Sequence, residues 1–145
     1  MRIPAALTLL LLTCCPPAMA QTYEVKMLNR GAAGSMIYEP DFLHIAPGDT
    51  VKFVATHSSH NVASIPQLLP AGATGFKGKI NEQLELTLDT PGFYGIQCIP
   101  HLAMGMVMLI QVGEPAEPSP AIPTTLPARA SERLNAIMAR ELLSR

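Results

Sequence analysis

The chain has 145 residues, of which 48% are hydrophobic and 14% charged, and its net charge at neutral pH is −1. That length suits one domain with appendages. Between Gln21 and Gly113 five basic residues stand against seven acidic ones, and that balance, with no basic run, argues against nucleic acid as the main partner.

The N-terminal stretch carries one basic residue, Arg2, then an apolar run from Ala5 to Thr13, then the small-x-small sequence Ala18-Met19-Ala20. This pattern predicts a secretory signal peptide over residues 1–20, cut after Ala20, so that the mature chain begins at Gln21 in the periplasm. The apolar run is too short to cross a bilayer core of about 30 Å as a helix. No second such stretch follows, which predicts a mature form without a membrane span. Cleavage removes Cys14 and Cys15 and leaves Cys98 as the single thiol. An unpaired thiol in an oxidising compartment calls for a reason: inert burial, nucleophilic reactivity or a bound metal.

From Gln21 the pattern is that of strands. Tyr23 to Leu28 alternates apolar and polar residues, as a strand with one buried face does. Asn29 to Ser35 is rich in Gly and Ala and is predicted as a turn. Phe42 to Ala46 reads as a strand, closed by the turn Pro47-Gly48-Asp49. Thr50 to Ala55 alternates again. Thr56 to Lys79 is irregular, with one helical turn expected within Gln67–Ala71. Leu84 to Leu88 is the next strand, Asp89-Thr90-Pro91-Gly92 a turn, and Phe93 to Gln97 and Met106 to Val112 are the last two strands. Short strands at intervals of about ten residues, punctuated by Gly and Pro, point to an antiparallel sandwich or barrel.

Past Gly113 the composition changes. Residues 114–127 hold five prolines and read as an extended linker between the sandwich domain (21–113) and a C-terminal extension (128–145). In that extension Leu134, Ile137, Met138 and Leu142 recur at helical spacing, with Ser131 in the N-cap region, and the apolar stripe is expected to pack back on the sandwich.

One segment concentrates the chemistry. Cys98-Ile99-Pro100-His101-Leu102-Ala103-Met104-Gly105-Met106 runs from the end of one predicted strand to the start of the next. A single loop therefore presents a thiol, an imidazole and a thioether towards one point. A second imidazole, His60, follows another strand end in His57-Ser58-Ser59-His60-Asn61-Val62. Each has a bland reading on its own: Cys98 as an inert core thiol, His60 as a hydrogen-bonded loop histidine, His101 as a surface residue, Met104 and Met106 as packing. Together they form the set of one thiolate, two imidazoles and one thioether that suits a blue-copper electron-transfer site. Spacing alone leaves Met104 and Met106 both open as the thioether. Asn61 is expected to tie the two loops together and to direct its backbone N–H at the Cys98 sulfur. Pro100 has no N–H to give. Met36, Pro40, Pro100, Leu102 and Met104 are candidates for an apolar collar around His101. His44 and His57 are taken as surface or packing residues.

Several stretches resemble the pseudoazurins, a branch of the cupredoxins: Glu24-Val25, Met27-Leu28-Asn29, Pro47-Gly48-Asp49-Thr50-Val51, His60-Asn61-Val62, Phe76-Lys77, Lys79-Ile80-Asn81-Glu82, and Pro100-His101 with Ala103 to Met106. The resemblance spans nearly the whole mature chain, tail included. It implies an all-β, eight-stranded Greek-key sandwich with a C-terminal helical tail. It implies one type 1 copper ion on His60, Cys98, His101 and Met106, with Met106 rather than Met104 as the axial ligand. A monomeric one-electron carrier is implied, docking transiently near His101 on a respiratory reductase such as nitrite reductase. The lysine ring of that family is thin here, with only Arg30, Lys77 and Lys79 as obvious members and Ser58 and Gln97 where a lysine is expected. Steering by charge is correspondingly weaker.

Other classes make different demands. A Cys-His nucleophile needs a third, orienting group and a substrate pocket. Copper storage uses exchangeable, methionine-rich or paired-cysteine sites, and structural zinc draws on more thiolates. No catalytic base is visible, and the residues fit a carrier better than an enzyme.

Overall fold

The computed structural model describes residues 19–115 and 119–142. The expected leader falls almost wholly outside the described residues, as do Pro118 of the linker and the last three residues of the extension.

Among the described residues eight strands form two sheets: β1 (Thr22–Gly31), β2 (Gly34–Glu39), β3 (Phe42–Ile45), β4 (Asp49–Val54), β5 (Ala63–Ser64), β6 (Leu84–Leu88), β7 (Gly92–Gln97) and β8 (Val107–Val112). One sheet runs β2-β1-β4-β6 and the other β3-β8-β7-β5. β1 with β4 and β3 with β8 are parallel pairs, and the other neighbours are antiparallel. Between the sheets lies the main core, which includes Val25, Met27, Tyr38, Val51, Phe53, Ile96, Met108 and Ile110. β4 shows the alternation that its sequence predicts, with Asp49, Val51 and Phe53 buried and the residues between them half-exposed.

Three local expectations are corrected. The Gly/Ala-rich stretch after Leu28 is not a long turn. β1 continues to Gly31, β2 begins at Gly34, and only Ala32 and Ala33 lie between them. The pairing of Arg30 with Ser35 and Leu28 with Ile37 supplies the ladder that the weak local propensity did not announce. No helical turn forms within Gln67–Ala71; Leu68 N–H instead bonds back to Ile65 C=O at 2.9 Å, closing a turn. Ser131 is not a cap either, because the last helix starts at Ala128 with Pro127 at its N-cap, and Ser131 N–H already donates to Pro127 C=O.

That helix, α1 (Ala128–Glu141), lies on the outer face of the β3-β8-β7-β5 sheet. It buries Ala130, Leu134, Ile137 and Met138 against Ile65, Leu68, Phe93, Val107 and Leu109. β8 is therefore covered on both faces: Met108 and Ile110 point into the sandwich, Val107 and Leu109 into the helix layer. This explains why all six of its residues are buried although it belongs to a largely antiparallel sheet. The linker also has partners, since Ile122 and Leu126 pack on the same helix-side cluster. Gly95 of β7 is required by this layer. A Cβ there would collide with the Leu68 side chain, which is held over the strand by Gly95 N–H to Leu68 C=O at 2.7 Å.

Candidate metal centre

β7 ends at Gln97, and the chain enters a 3₁₀ segment, Ile99–Met104, before β8. Cys98 N–H donates to Met106 C=O at 3.0 Å, and Met106 N–H donates to His101 C=O at 3.2 Å. The loop is thus closed on itself across its own neck. Gly105 turns it with φ +84°, and a Cβ there would stand 2.9 Å from the Arg129 carbonyl at the start of α1. The loop and the first turn of the helix are packed back to back.

His60 arrives from the other sheet's side. Its loop leaves β4 and makes a positive-φ turn at Ser59, whose N–H donates to Asn81 Oδ1 at 2.6 Å. Asn81 N–H returns a bond to His60 C=O at 2.8 Å. Asn61, 2% exposed, joins the loops: its Oδ1 accepts from Ile99 N–H at 2.9 Å and its Nδ2 donates to Gly78 C=O at 3.1 Å. The buried Tyr38 hydroxyl holds the Asn61 carbonyl at 2.7 Å.

The result brings three of the four sequence candidates to one point. The ligand atoms of His60, Cys98 and His101 lie within 4.8 Å of one another. Cys98 Sγ is 3.5 Å from His101 Nδ1 and 3.8 Å from His60 Nδ1, and the two Nδ1 atoms are 3.1 Å apart. His60 and Cys98 are fully buried and His101 is half-buried. Burial raises the Cys98 thiol pKa, opposed by the backbone N–H groups of Asn61 and His101, which favour the thiolate. Burial also lowers the His60 pKa, with smaller contributions from His101 and His57. Both imidazoles turn Nδ1 inward, and His60 Nε2 faces away, bonded to Asn29 Oδ1 at 2.7 Å. The donor set of one soft thiol and two imidazoles, in a closed and buried cradle, fits copper.

The two methionines part company. Met106 is fully buried beside Cys98 in the main core, whereas Met104 is 43% exposed. Of the expected collar, Pro40, Pro100 and Met104 are exposed, while Met36 and Leu102 are half-buried against the cores. Sequence reasoning missed two exposed apolar residues, Ile80 and Ile99, which are 48% and 44% exposed and line one shallow pocket with Pro100. Ile99 could have been found as the residue between the thiol and Pro100 that no core register claims. His44 and His57 stay outside the cluster: His44 Nε2 lies 3.0 Å from Gly113 C=O, and His57 Nδ1 accepts from Asn29 N–H at 2.9 Å. Among the described residues no helix is long and apolar enough to cross a membrane.

The family model of copper binding proteins, plastocyanin/azurin family, matches residues 25–113. Pseudoazurin from Paracoccus pantotrophus is 47% identical over 137 residues, covering 94% of each chain. A solved Sinorhizobium pseudoazurin superposes with a TM-score of 0.78 at 42% identity, over 83% of this chain and 95% of its own. Native pseudoazurin from Hyphomicrobium denitrificans gives 0.76 at 35% identity, over 82% and 97%.

Proposed function

Since the chain belongs to the pseudoazurins, within the copper-binding plastocyanin/azurin family, we propose that it carries single electrons on one type 1 copper ion held by His60, Cys98, His101 and Met106. The observation that carries this reading is the fully buried Cys98 thiol facing two imidazole Nδ1 atoms at 3.5 and 3.8 Å. Bound copper would supply a one-electron couple between Cu(I) and Cu(II).

What the chain itself contributes is constancy of position. The loop neck, the Asn61 bridge and the Ser59–Asn81 clasp each hold a ligand-bearing backbone by hydrogen bonds. A site that changes little between redox states has a low barrier to electron transfer. Burial of Met106 and exposure of Met104 support Met106 as the thioether ligand. The half-exposed His101, in the same 3₁₀ segment as the exposed Ile99, Pro100 and Met104, serves as the electron port, because a small apolar patch suits brief docking and fast release.

The finer reading is that a leader over residues 1–20 is removed and that residues 21–113 form the copper domain. Residues 114–127 are then the Pro-rich linker and residues 128–145 the helical extension. The product works as a monomer in the periplasm and passes electrons to a respiratory reductase, with nitrite reductase as the first partner to test. The leader pattern supports removal of residues 1–20, and the pseudoazurin relatives support the electron-carrier role.

The test is a visible absorption spectrum of the mature protein loaded with Cu(II), repeated after ascorbate. An intense blue thiolate-to-copper band that bleaches on reduction and returns on reoxidation is expected. A pale protein that binds zinc as readily would overturn the carrier reading.

A further inference from the structure

β1 and β4 pair in parallel as far as Lys26 and Val54. In a parallel ladder a residue donates its N–H to the carbonyl before its partner and accepts, on its own carbonyl, the N–H after it. His57 performs the first half with its backbone, giving N–H to Met27 C=O at 3.1 Å. The second half is performed by its side chain: Asn29 N–H bonds to His57 Nδ1 at 2.9 Å. By Ser59, with φ +77°, the main chain has turned off towards His60. The imidazole therefore stands where the next ladder carbonyl would be.

Asn29 is the residue so held, and its side chain accepts from His60 Nε2–H at 2.7 Å. With its proton committed there, His60 keeps a lone pair on Nδ1, the atom aimed at Cys98 and His101. We propose that His57 is a positioning residue of the metal centre, fixing Asn29 so that Asn29 in turn fixes the tautomer and ring orientation of His60. This rests on His60 being a copper ligand.

The chemistry makes a sharp test available. An asparagine Oδ1 reaches the place of an imidazole Nδ1, whereas a glutamine Oε1 reaches that of Nε2. His57→Asn keeps an acceptor for Asn29 N–H, and His57→Gln does not. His57→Ala is a second acceptor-free variant should the glutamine form fail to fold. Two readouts apply: release of copper from the mature protein to a chelator, and the imidazole nitrogen shifts of His60 in the metal-free protein. The acceptor-free variants are expected to release copper about tenfold faster, the lower end of losses seen when a ligand's hydrogen-bond partner is disturbed. Their His60 should show mixed tautomers. His57→Asn should match the wild type in both. Equal behaviour of the asparagine and acceptor-free variants, with a blue wild type, would overturn this inference alone. A wild type without the blue band would overturn the ligand reading and this inference with it.

Discussion

Asn61 Oδ1 accepts a hydrogen bond from Ile99 N–H at 2.9 Å, joining the residue after one imidazole to the residue after the thiol. The same side chain donates to Gly78 C=O and is almost fully buried. Asn61→Ala leaves an N–H and a carbonyl without their partner, each at a cost of about 1–3 kcal/mol where water cannot reach. Denaturant unfolding of the metal-free protein should show that loss. Stability within experimental error of the wild type would mean that water replaces the amide.

Pro100 bears on the reduction potential. The backbone N–H groups of Asn61 and His101 favour the Cys98 thiolate, although the His101 N–H itself bonds to Cys98 C=O at 3.1 Å. Pro100→Ala adds an N–H close to the same sulfur, drawing negative charge from the thiolate and favouring the reduced state. Voltammetry should show a raised potential, and an unchanged or lowered value would count against the added bond.

The C-terminal helix is an energetic part of the domain. Leu134 is fully buried in the cluster that packs α1 on β8. Leu134→Ala should cost about 2–5 kcal/mol, the usual range for a core cavity of this size. Thermal unfolding of the mature chain measures it. A cost under about 1 kcal/mol would indicate a helix that docks only loosely.

Alkaline pH should weaken the metal-free protein. Burial raises the Cys98 thiol pKa above its ordinary 9.0, and burial followed by the Cys98 charge raises the Tyr38 phenol well above 10.0. Both groups are neutral when protonated, so the folded state holds their protons more tightly than the unfolded chain. Their contribution is intact below the ordinary values and is lost as pH rises through the folded ones. Unfolding free energy should therefore fall above about pH 9, and Cys98→Ala should remove part of the slope. A flat profile in the wild type would contradict the burial argument.

Local pattern determined much of this protein. The alternation in Thr50–Ala55 and Leu84–Leu88 announced strands β4 and β6, because a half-buried strand must repeat every two residues. The spacing of Leu134, Ile137 and Met138 announced the helix for the corresponding reason at 3.6 residues per turn. Cys98, His101 and His60 were legible as a donor set because few other roles need those three side chains at adjoining loop ends. Tertiary structure alone decided the rest. The Gly/Ala-rich ends of β1 and β2 have weak propensity of their own and are strand through their pairing with each other. Met106 is buried and Met104 is 43% exposed, a difference that their spacing does not announce. His57 read as a surface or packing residue until the divergence of β1 and β4 left Asn29 N–H in need of an acceptor. A hydrogen bond between residues 28 positions apart has no periodicity to betray it, since it depends on where two strands part in space.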